Sequence, residues 1–168
     1  MSTAAKVNTA PRASRPYAPN YGIKKENEGA GLLPWSWAEE RLEKTQNFFI
    51  STVTPDHAPH VMVIWGMWFE GKFFFSTGAN SRKAKNLAAN PRCVITTGNS
   101  DEAVILEGRV SPVNDRALRS RYTEAVTKKY KFDLGPYSEE PIYALEPQRA
   151  FALVEKDFVG SATRWTWE

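Results

Sequence analysis

FFSTGANSRKAKNLAANP, residues 74–91, is the stretch that says most about the fold of this chain. Its aromatic beginning is typical of a strand, a polar loop follows, and residues 81–89 are predicted to form a short helix. The N-terminus of a helix presents unpaired N–H groups and the positive end of a dipole. Hydroxyl and cationic side chains crowd this junction, namely Ser76, Thr77, Ser81, Arg82 and Lys83. The segment therefore predicts a phosphate-binding junction.

The composition indicates one globular domain. The chain has 168 residues, of which 42% are hydrophobic, and this share is ordinary for a folded protein. No apolar run reaches the roughly 18 residues of a membrane span, and the N-terminus lacks the apolar core of a secretory signal. A single cysteine, Cys93, excludes an internal disulfide and a multi-cysteine metal site. We therefore predict a cytoplasmic protein without a membrane segment.

The positive charge is concentrated at the N-terminus. The net charge of the whole chain is +3, and residues 1–30 contain five basic and two acidic residues, so residues 31–168 are formally neutral. We interpret residues 1–30 as a flexible basic tail or one that lies over a neighbour, and residues 31–168 as the folded domain. Nucleic-acid binding through the tail ranks last among the functional hypotheses, because the folded part carries no net positive charge.

The remaining pattern is mainly β. We predict helices at residues 37–45, with Ser36 as N-cap, 81–89 and 115–129. We predict strands at residues 47–53, 59–69, 73–77, 93–97, 103–110, 149–155 and 163–167, and a short extended segment at residues 142–145. Short loops join the first three strands, so they are expected to form an antiparallel meander. The fold prediction is a closed or partly open antiparallel β-barrel of six to seven strands with a few helices.

This order of elements resembles the flavin/deazaflavin oxidoreductase superfamily, also called the pyridoxamine 5′-phosphate oxidase-like split barrels. The pattern SRKAxNLxxNP at residues 81–91 carries the most specific part of the resemblance. PHVMVIWGMW at residues 59–68 and TRW at residues 163–165 look like the branch that binds coenzyme F420. The chain departs from the pattern at His57, where glycine is usual, and at Val63, where many relatives carry proline. The resemblance implies a homodimer with the cofactor between the subunits.

The resemblance also implies the residues that hold the cofactor. F420 carries a phosphate in its linker and an oligoglutamate tail, and the phosphate clamp would consist of Ser76, Thr77, Arg82, Lys83 and Asn86. The strand at residues 61–65 would form a flat apolar slot whose backbone N–H groups meet the carbonyl groups of the ring. The slot residues implied in this way are His60, Val61, Met62, Val63 and Trp65. The implied reaction is hydride transfer from reduced F420 to an electron-poor conjugated small molecule, such as a quinone, an enone or a tetrapyrrole like biliverdin.

Two alternatives to an F420-dependent reductase stay open. The first is an FMN-dependent oxidase or reductase on the same fold, and the second is a non-catalytic protein that binds F420, a flavin or a pigment. No catalytic residue is assigned, because hydride transfer from such a cofactor does not require a strong protein acid. His57 and His60 lie in and beside a turn, and no cysteine or carboxylate cluster completes a metal site with them.

The aromatic residues allow two interpretations. Trp65, Trp68, Trp165 and Trp167 lie on predicted strands, and the favoured interpretation is a place in the core or in a dimer interface. The alternative is a stacking wall for the cofactor ring or the substrate.

Overall fold

Nine strands form one antiparallel sheet in the computed structural model of this chain, which describes residues 10–25 and 30–167. The strands are β1 Arg12–Ser14, β2 Phe48–Val53, β3 Pro59–Ile64, β4 Met67–Phe69, β5 Lys72–Ser76, β6 Arg92–Thr97, β7 Glu102–Pro112, β8 Ile142–Val154 and β9 Thr163–Thr166. The α helices are α1 Trp35–Lys44, α2 Arg82–Ala89, α3 Arg116–Tyr130 and the short α4 Phe158–Ser161. No helix among the described residues is long and apolar enough to cross a membrane.

The sheet curves into a barrel that stays open on one side. Its strands follow the order β1-β9-β8-β7-β6-β2-β3, while β5 pairs with β4 and with the first part of β8. In the described part of the chain, no hydrogen-bonded ladder joins β3 to β4 or β5. The prediction of a mainly β, antiparallel split barrel is therefore confirmed, and the opening leaves β3 as an edge strand.

Alternation along the strands builds the core. In β2, Phe48, Ile50 and Thr52 are buried, while the residues between them point outward. The rings of Phe48 and Phe73 meet edge to face at 4.7 Å inside the barrel. This period of two is the pattern expected for a strand with one buried face. It is the reason why β2 could be predicted from the sequence.

A cluster of tryptophans closes one side of the core. The ring of Trp35 contacts Trp68, Trp165 and Trp167 edge to face, at centroid distances of 5.5, 5.2 and 5.0 Å. Trp68 and Trp165 are buried and Trp167 is half-buried. The core interpretation is thus confirmed for Trp68 and Trp165, whereas Trp65 is exposed.

The predicted single strand over residues 59–69 is wrong, because it breaks at Gly66 into β3 and β4. The backbone of Gly66 passes so close to the core that an added Cβ would lie 2.2 Å from Cζ of Phe73. The strand therefore turns here, and β4 pairs with β5 while β3 pairs with β2.

Two further boundaries differ from the prediction. Helix α1 begins at Trp35, with Pro34 as N-cap and without a side-chain cap, so Ser36 lies inside the helix. The extended segment predicted at residues 142–145 and the strand predicted at residues 149–155 are one continuous strand, β8. The register with β7 shifts between Glu107 and Gly108, where β8 carries one extra residue, Gln148, and Pro147 lies opposite Gly108. Proline is tolerated in a strand at such a bulge.

The N-terminal segment contains a strand that was not predicted. Residues Arg12–Ser14 pair with β9, with Arg12 opposite Thr166 and Ser14 opposite Arg164. The strand β1 falls within the segment predicted as a tail, of which residues 1–9 and 26–29 lie outside the described part. A three-residue strand has almost no periodic signal of its own, and an existing edge supplies the partner that forms it.

Candidate functional site

A cleft of about 320 Å³ opens beside the edge strand β3. The residues that line it are Val63 and Ile64 of β3, the following Trp65, Ser76 at the end of β5 and Lys83 in the first turn of α2. Of the predicted site residues, the structure thus brings Val63, Trp65, Ser76 and Lys83 together in one cleft. The open side of the barrel creates the cleft, because β3 and β5 end side by side there without pairing.

Lys83 brings an unpaired positive charge to the cleft. Its side chain is half-buried, and within the described residues its amine makes no hydrogen bond or ion pair. Burial lowers the pKa of Lys83 below its ordinary value, since partial desolvation disfavours the charged form. An anion in the cleft would restore the lost solvation, so the position suits a phosphate group.

Ser76 is oriented by a tyrosine from α3. The hydroxyl of Tyr122 donates a hydrogen bond to Oγ of Ser76 at 3.3 Å. Burial raises the pKa of Tyr122 to about 12, so the phenol remains a donor at every physiological pH. Because Oγ of Ser76 accepts this bond, the hydroxyl proton of Ser76 is left to donate to a group in the cleft.

The remaining hydroxyls of the predicted clamp stabilise the loop before α2. Ser81 is the N-cap of α2, and its Oγ accepts a hydrogen bond from the backbone N–H of Ala84 at 3.2 Å. Oγ1 of Thr77 lies 3.1 Å from the same Ser81 oxygen, and the Thr77 side chain is buried. Both hydroxyls hold the loop that connects Ser76 of β5 to the helix of Lys83, and neither lines the cleft. This is the ordinary role of a serine at a helix N-terminus.

Arg82 and Asn86 also lie away from the cleft. Arg82 is exposed on α2. Asn86 is buried, and its Nδ2 donates a hydrogen bond to Oγ1 of Thr52 at 2.9 Å. The same Thr52 oxygen lies 3.4 Å from Nδ1 of His60. The structure therefore places Asn86 in the packing between α2 and β2 and not among the residues that line the cleft.

The edge strand β3 exposes apolar side chains in an unbroken row. Val61, Met62 and Val63 are 56%, 47% and 51% exposed. Consecutive residues of a strand point to opposite faces, so both faces of β3 are uncovered, and Phe49 of β2 extends the apolar surface on the side of Val63. An exposed apolar edge strand favours pairing or covering by another molecule.

An aromatic wall beside the cleft was not predicted as a unit. It consists of Trp65, Tyr130, Phe132 and Tyr137, from the end of β3, the end of α3 and the loop after it. Trp65 stacks on Tyr130 at a centroid distance of 4.6 Å and meets Phe132 edge to face at 5.4 Å. Phe132 stacks on Tyr137 at 6.0 Å. The only sequence signal was the density of aromatic residues around the predicted loop at 131–141.

The end of α3 holds the break after β3 in place. The hydroxyl of Tyr130 accepts the N–H of Gly66 at 2.9 Å and lies 2.7 Å from the carbonyl oxygen of Gln46. Nζ of Lys129 donates to the carbonyl oxygen of Gly66 at 3.1 Å, and burial lowers the pKa of Lys129 to about 8. These bonds satisfy the backbone of Gly66, which lies outside the sheet ladder, and they position the neighbouring Trp65.

Comparison with known proteins agrees with this architecture. A family model described as "Pyridoxamine 5'-phosphate oxidase" matches residues 37–156. A conserved hypothetical protein from Mycobacterium tuberculosis aligns with 18% identity, over 79% of this chain and 91% of that one, with a TM-score of 0.68. A structure described as an F420 reductase aligns with 22% identity over 67% and 94% of the two chains, with a TM-score of 0.56.

A heme binding protein from Mycobacterium smegmatis aligns with 21% identity, over 72% of this chain and 55% of that one, with a TM-score of 0.57. Comparison with curated proteins gave no significant match. Identities this low show a common fold, and the family model covers well over half of the chain. From its open antiparallel barrel and the match over residues 37–156, the chain belongs to the pyridoxamine 5′-phosphate oxidase family.

Proposed function

We propose that this chain is an F420-dependent oxidoreductase that reduces planar, electron-poor small molecules, with the cofactor bound at the cleft beside β3. The observation that carries the proposal is the cleft itself, in which the unpaired amine of Lys83, the hydroxyl of Ser76 and the apolar strand end at Val63 meet. The fold supports a cofactor-binding role, and a split barrel described as an F420 reductase shares it.

Each residue of the cleft would bind a different part of the cofactor. Lys83 and Ser76 would hold the phosphate, one through charge and the other through a directed hydroxyl. The unpaired edge of β3 would offer backbone N–H groups to polar atoms of the ring, and Val63 would cover one part of it. When bound, F420 supplies a hydride from its ring, and the protein contributes position and electrostatics. The exposed Arg82 would lie further out, toward the glutamate tail.

The aromatic wall would bind the substrate. Trp65 is 42% exposed, and it faces the cleft while its other contacts are to Tyr130 and Phe132. Flat conjugated molecules stack well on such rings. Lys83 is the one titratable residue among the described residues that line the cleft, so the proton of the reduction would come from water or from a cofactor group.

A titration with F420 and with FMN tests the function. Trp65 lies in the cleft, so bound F420 should quench part of the tryptophan fluorescence, and Trp65→Phe should abolish this part. Oxidation of reduced F420 in the presence of quinones, enones, nitro compounds or biliverdin would establish the reaction. Binding of FMN without binding of F420 would replace the proposal with an FMN-dependent enzyme.

A non-catalytic binder of F420, flavin or pigment is the second candidate. The observation that favours it is the occurrence of this fold in a heme binding protein. This candidate predicts tight cofactor or tetrapyrrole binding without oxidation of reduced F420 by any of the acceptors above.

The exposed edge strand leads to a proposal about assembly. We propose that a second copy of the chain covers β3 and completes the cleft, since the apolar row from Val61 to Val63 and Phe49 would otherwise stay in water. Val61→Lys is expected to shift the protein from dimer to monomer in sedimentation velocity, because a lysine in an apolar interface must be desolvated. Val159→Lys is the matched control, since Val159 is 43% exposed on α4. A wild-type monomer, or equal behaviour of the two variants, would contradict the proposal.

Tyr122→Phe tests how Ser76 is directed. The substitution removes the hydroxyl group that donates a hydrogen bond to Oγ of Ser76. The Ser76 hydroxyl is then free to rotate and its proton is no longer directed into the cleft, so F420 affinity should fall about 3- to 10-fold. The phosphate-free deazaflavin precursor of F420 serves as the control ligand, and its affinity should stay within about 2-fold. An equal loss for both ligands would mean that Tyr122 only supports the fold.

A further inference from the structure

A network of three polar side chains connects α2 through β2 to the edge strand β3. Asn86 of α2 and Thr52 of β2 are each 2% exposed, and Nδ2 of Asn86 donates a hydrogen bond to Oγ1 of Thr52 at 2.9 Å. The same oxygen lies 3.4 Å from Nδ1 of His60 and 3.5 Å from the carbonyl oxygen of His60. His60 stands opposite Thr52 in the ladder between β2 and β3, and it is half-buried. The network therefore begins in the interior and ends on a ring that reaches the surface.

The directions of these hydrogen bonds determine which nitrogen of His60 carries the proton. The amide N–H group of Asn86 can only donate, so it occupies a lone pair of the Thr52 hydroxyl group and leaves the hydroxyl proton free. On His60, Nδ1 is the nearer of the two acceptors for that proton. A neutral imidazole whose Nδ1 accepts a hydrogen bond carries its own proton on Nε2. The network thus makes Nε2 of His60 a hydrogen-bond donor.

The network interrupts an otherwise apolar surface. Phe48 and Ile50, which precede Thr52 on the inner face of β2, are fully apolar and buried. A polar group at the third inward position must be paired to offset its desolvation, and a valine there would need no partner. Departures from the local pattern of this kind are expected at functional sites. The hydrogen bonds that His60 makes with described residues use Nδ1 and the backbone, so Nε2–H remains available to a ligand.

Both α2 and β3 lead from the cleft to this network. Ile64 lines the cleft, and His60 shares its face of β3, because residues four apart in a strand lie on the same side. The two positions are roughly 13 Å apart, and Met62, which lies between them on this face, is 47% exposed. On α2, Lys83 lines the cleft and Asn86 follows about one turn later. An extended ligand that is anchored at Lys83 is therefore able to reach His60 along β3.

We propose that His60 donates its Nε2–H to a carbonyl oxygen of the cofactor ring, and that Asn86 and Thr52 are positioning residues that hold His60 in this tautomer. The inference rests on the proposed function, since it needs a ring cofactor in the cleft. With the phosphate at Lys83 and Ser76, the ring would extend along β3, and the rings of F420 and FMN both carry carbonyl groups. Asn86 would thus act on the ring through two other side chains and not on the phosphate.

Nuclear magnetic resonance spectra of the full chain labelled with nitrogen-15 test the tautomer and the contact. The chain has two histidines, and His57, exposed in its turn, is an internal reference. In the alkaline range, in which an ordinary imidazole is neutral, we expect His60 to carry its proton on Nε2. Addition of F420, or of FMN, should move the Nε2 resonance of His60 and leave His57 unchanged. A proton on Nδ1 of His60, or a cofactor that binds without moving the Nε2 resonance, overturns the inference.

The variants Thr52→Val and Thr52→Ser test the positioning role. Valine removes the hydroxyl group at nearly the same shape, whereas serine keeps it. We expect Thr52→Val to weaken F420 binding about 3- to 10-fold and Thr52→Ser to stay within about 2-fold. The phosphate-free deazaflavin precursor should lose the same factor as F420 in Thr52→Val, because His60 contacts the ring. Equal binding by the two variants, or a loss for F420 without a loss for the precursor, overturns the inference.

The same measurements separate this inference from the proposed function. If neither F420 nor FMN binds to the wild type, the proposed function is wrong and the contact of His60 with a cofactor ring is wrong with it. If a cofactor binds while the Nε2 resonance of His60 stays in place, only the inference fails. The spectra of the wild type need no variant, so they decide the result even if Thr52→Val does not fold.

Discussion

Replacement of Lys83 with alanine is expected to weaken F420 binding about 10- to 100-fold, the range for losing a hydrogen bond to a charged group. Lys83 is the one cation that lines the cleft among the described residues, and its amine has no other partner there. The tryptophan quenching titration described above measures the effect. The matched control is Lys85→Ala, because Lys85 is exposed on the same helix and does not line the cleft.

The pH dependence of the wild type should agree with this role. Burial lowers the pKa of Lys83, so the amine is charged below that lowered pKa and loses its proton as the pH rises through it. The affinity for F420 should therefore be constant around neutral pH and fall in the alkaline range, and the fall should begin below the ordinary pKa of a lysine. Lys83→Ala should lack this alkaline decline. If Lys83→Ala and Lys85→Ala bound F420 with equal affinity, Lys83 would not be a cofactor-binding residue.

Gly66→Ala is expected to lower the free energy of unfolding by about 3 kcal/mol, at the upper end of the range for overpacking a core. The added Cβ would lie 2.2 Å from Cζ of Phe73 and 3.1 Å from the carbonyl oxygen of Phe74. Phe73 is fully buried and packs on Phe48, so its ring has no room to withdraw. Urea unfolding with constant slope measures the change.

Gly78→Ala is the control for this substitution. An added Cβ at Gly78 would meet its nearest atom, Oε2 of Glu140, at 3.9 Å, so the stability should change by less than about 1 kcal/mol. Gly66→Ala should also reduce the quenching by F420, because a shift of Gly66 displaces Trp65 from the cleft. A stability equal to that of Gly78→Ala would mean that the break after β3 does not depend on glycine.

Local signals in the sequence were sufficient for the strand–loop–helix junction before α2 and for the first hairpin. The helix predicted at residues 81–89 forms over Arg82–Ala89, with Ser81 as its N-cap and Asn90 as its C-cap. The Asp56-His57 turn forms with His57 at φ 66°, a left-handed conformation that histidine tolerates better than most residues. These features depend on neighbours within a few positions, and for this reason they can be read without the fold.

The assignment of individual side chains to the site required the structure. Ser76, Thr77, Lys83 and Asn86 all stand near one helix start in the sequence, and yet only Ser76 and Lys83 line the cleft. Asn86 turns to Thr52 of β2, which lies 34 residues earlier in the chain. A residue pattern identifies groups that are able to bind a phosphate, whereas the packing of the helix decides which of these groups line the cleft.

The sequence by itself determined the family, the antiparallel strands, the junction before α2 and the apolar strand that borders the cleft. Only the tertiary structure decided where that strand breaks, which side chains meet in the cleft, and that the basic N-terminal segment joins the barrel through β1 and Arg15. The physical reason is the range of the interactions. Turns, caps and strand alternation act over a few residues, while the contacts of Gly66 with Tyr130 and of Arg15 with Gly160 join positions 64 and 145 residues apart.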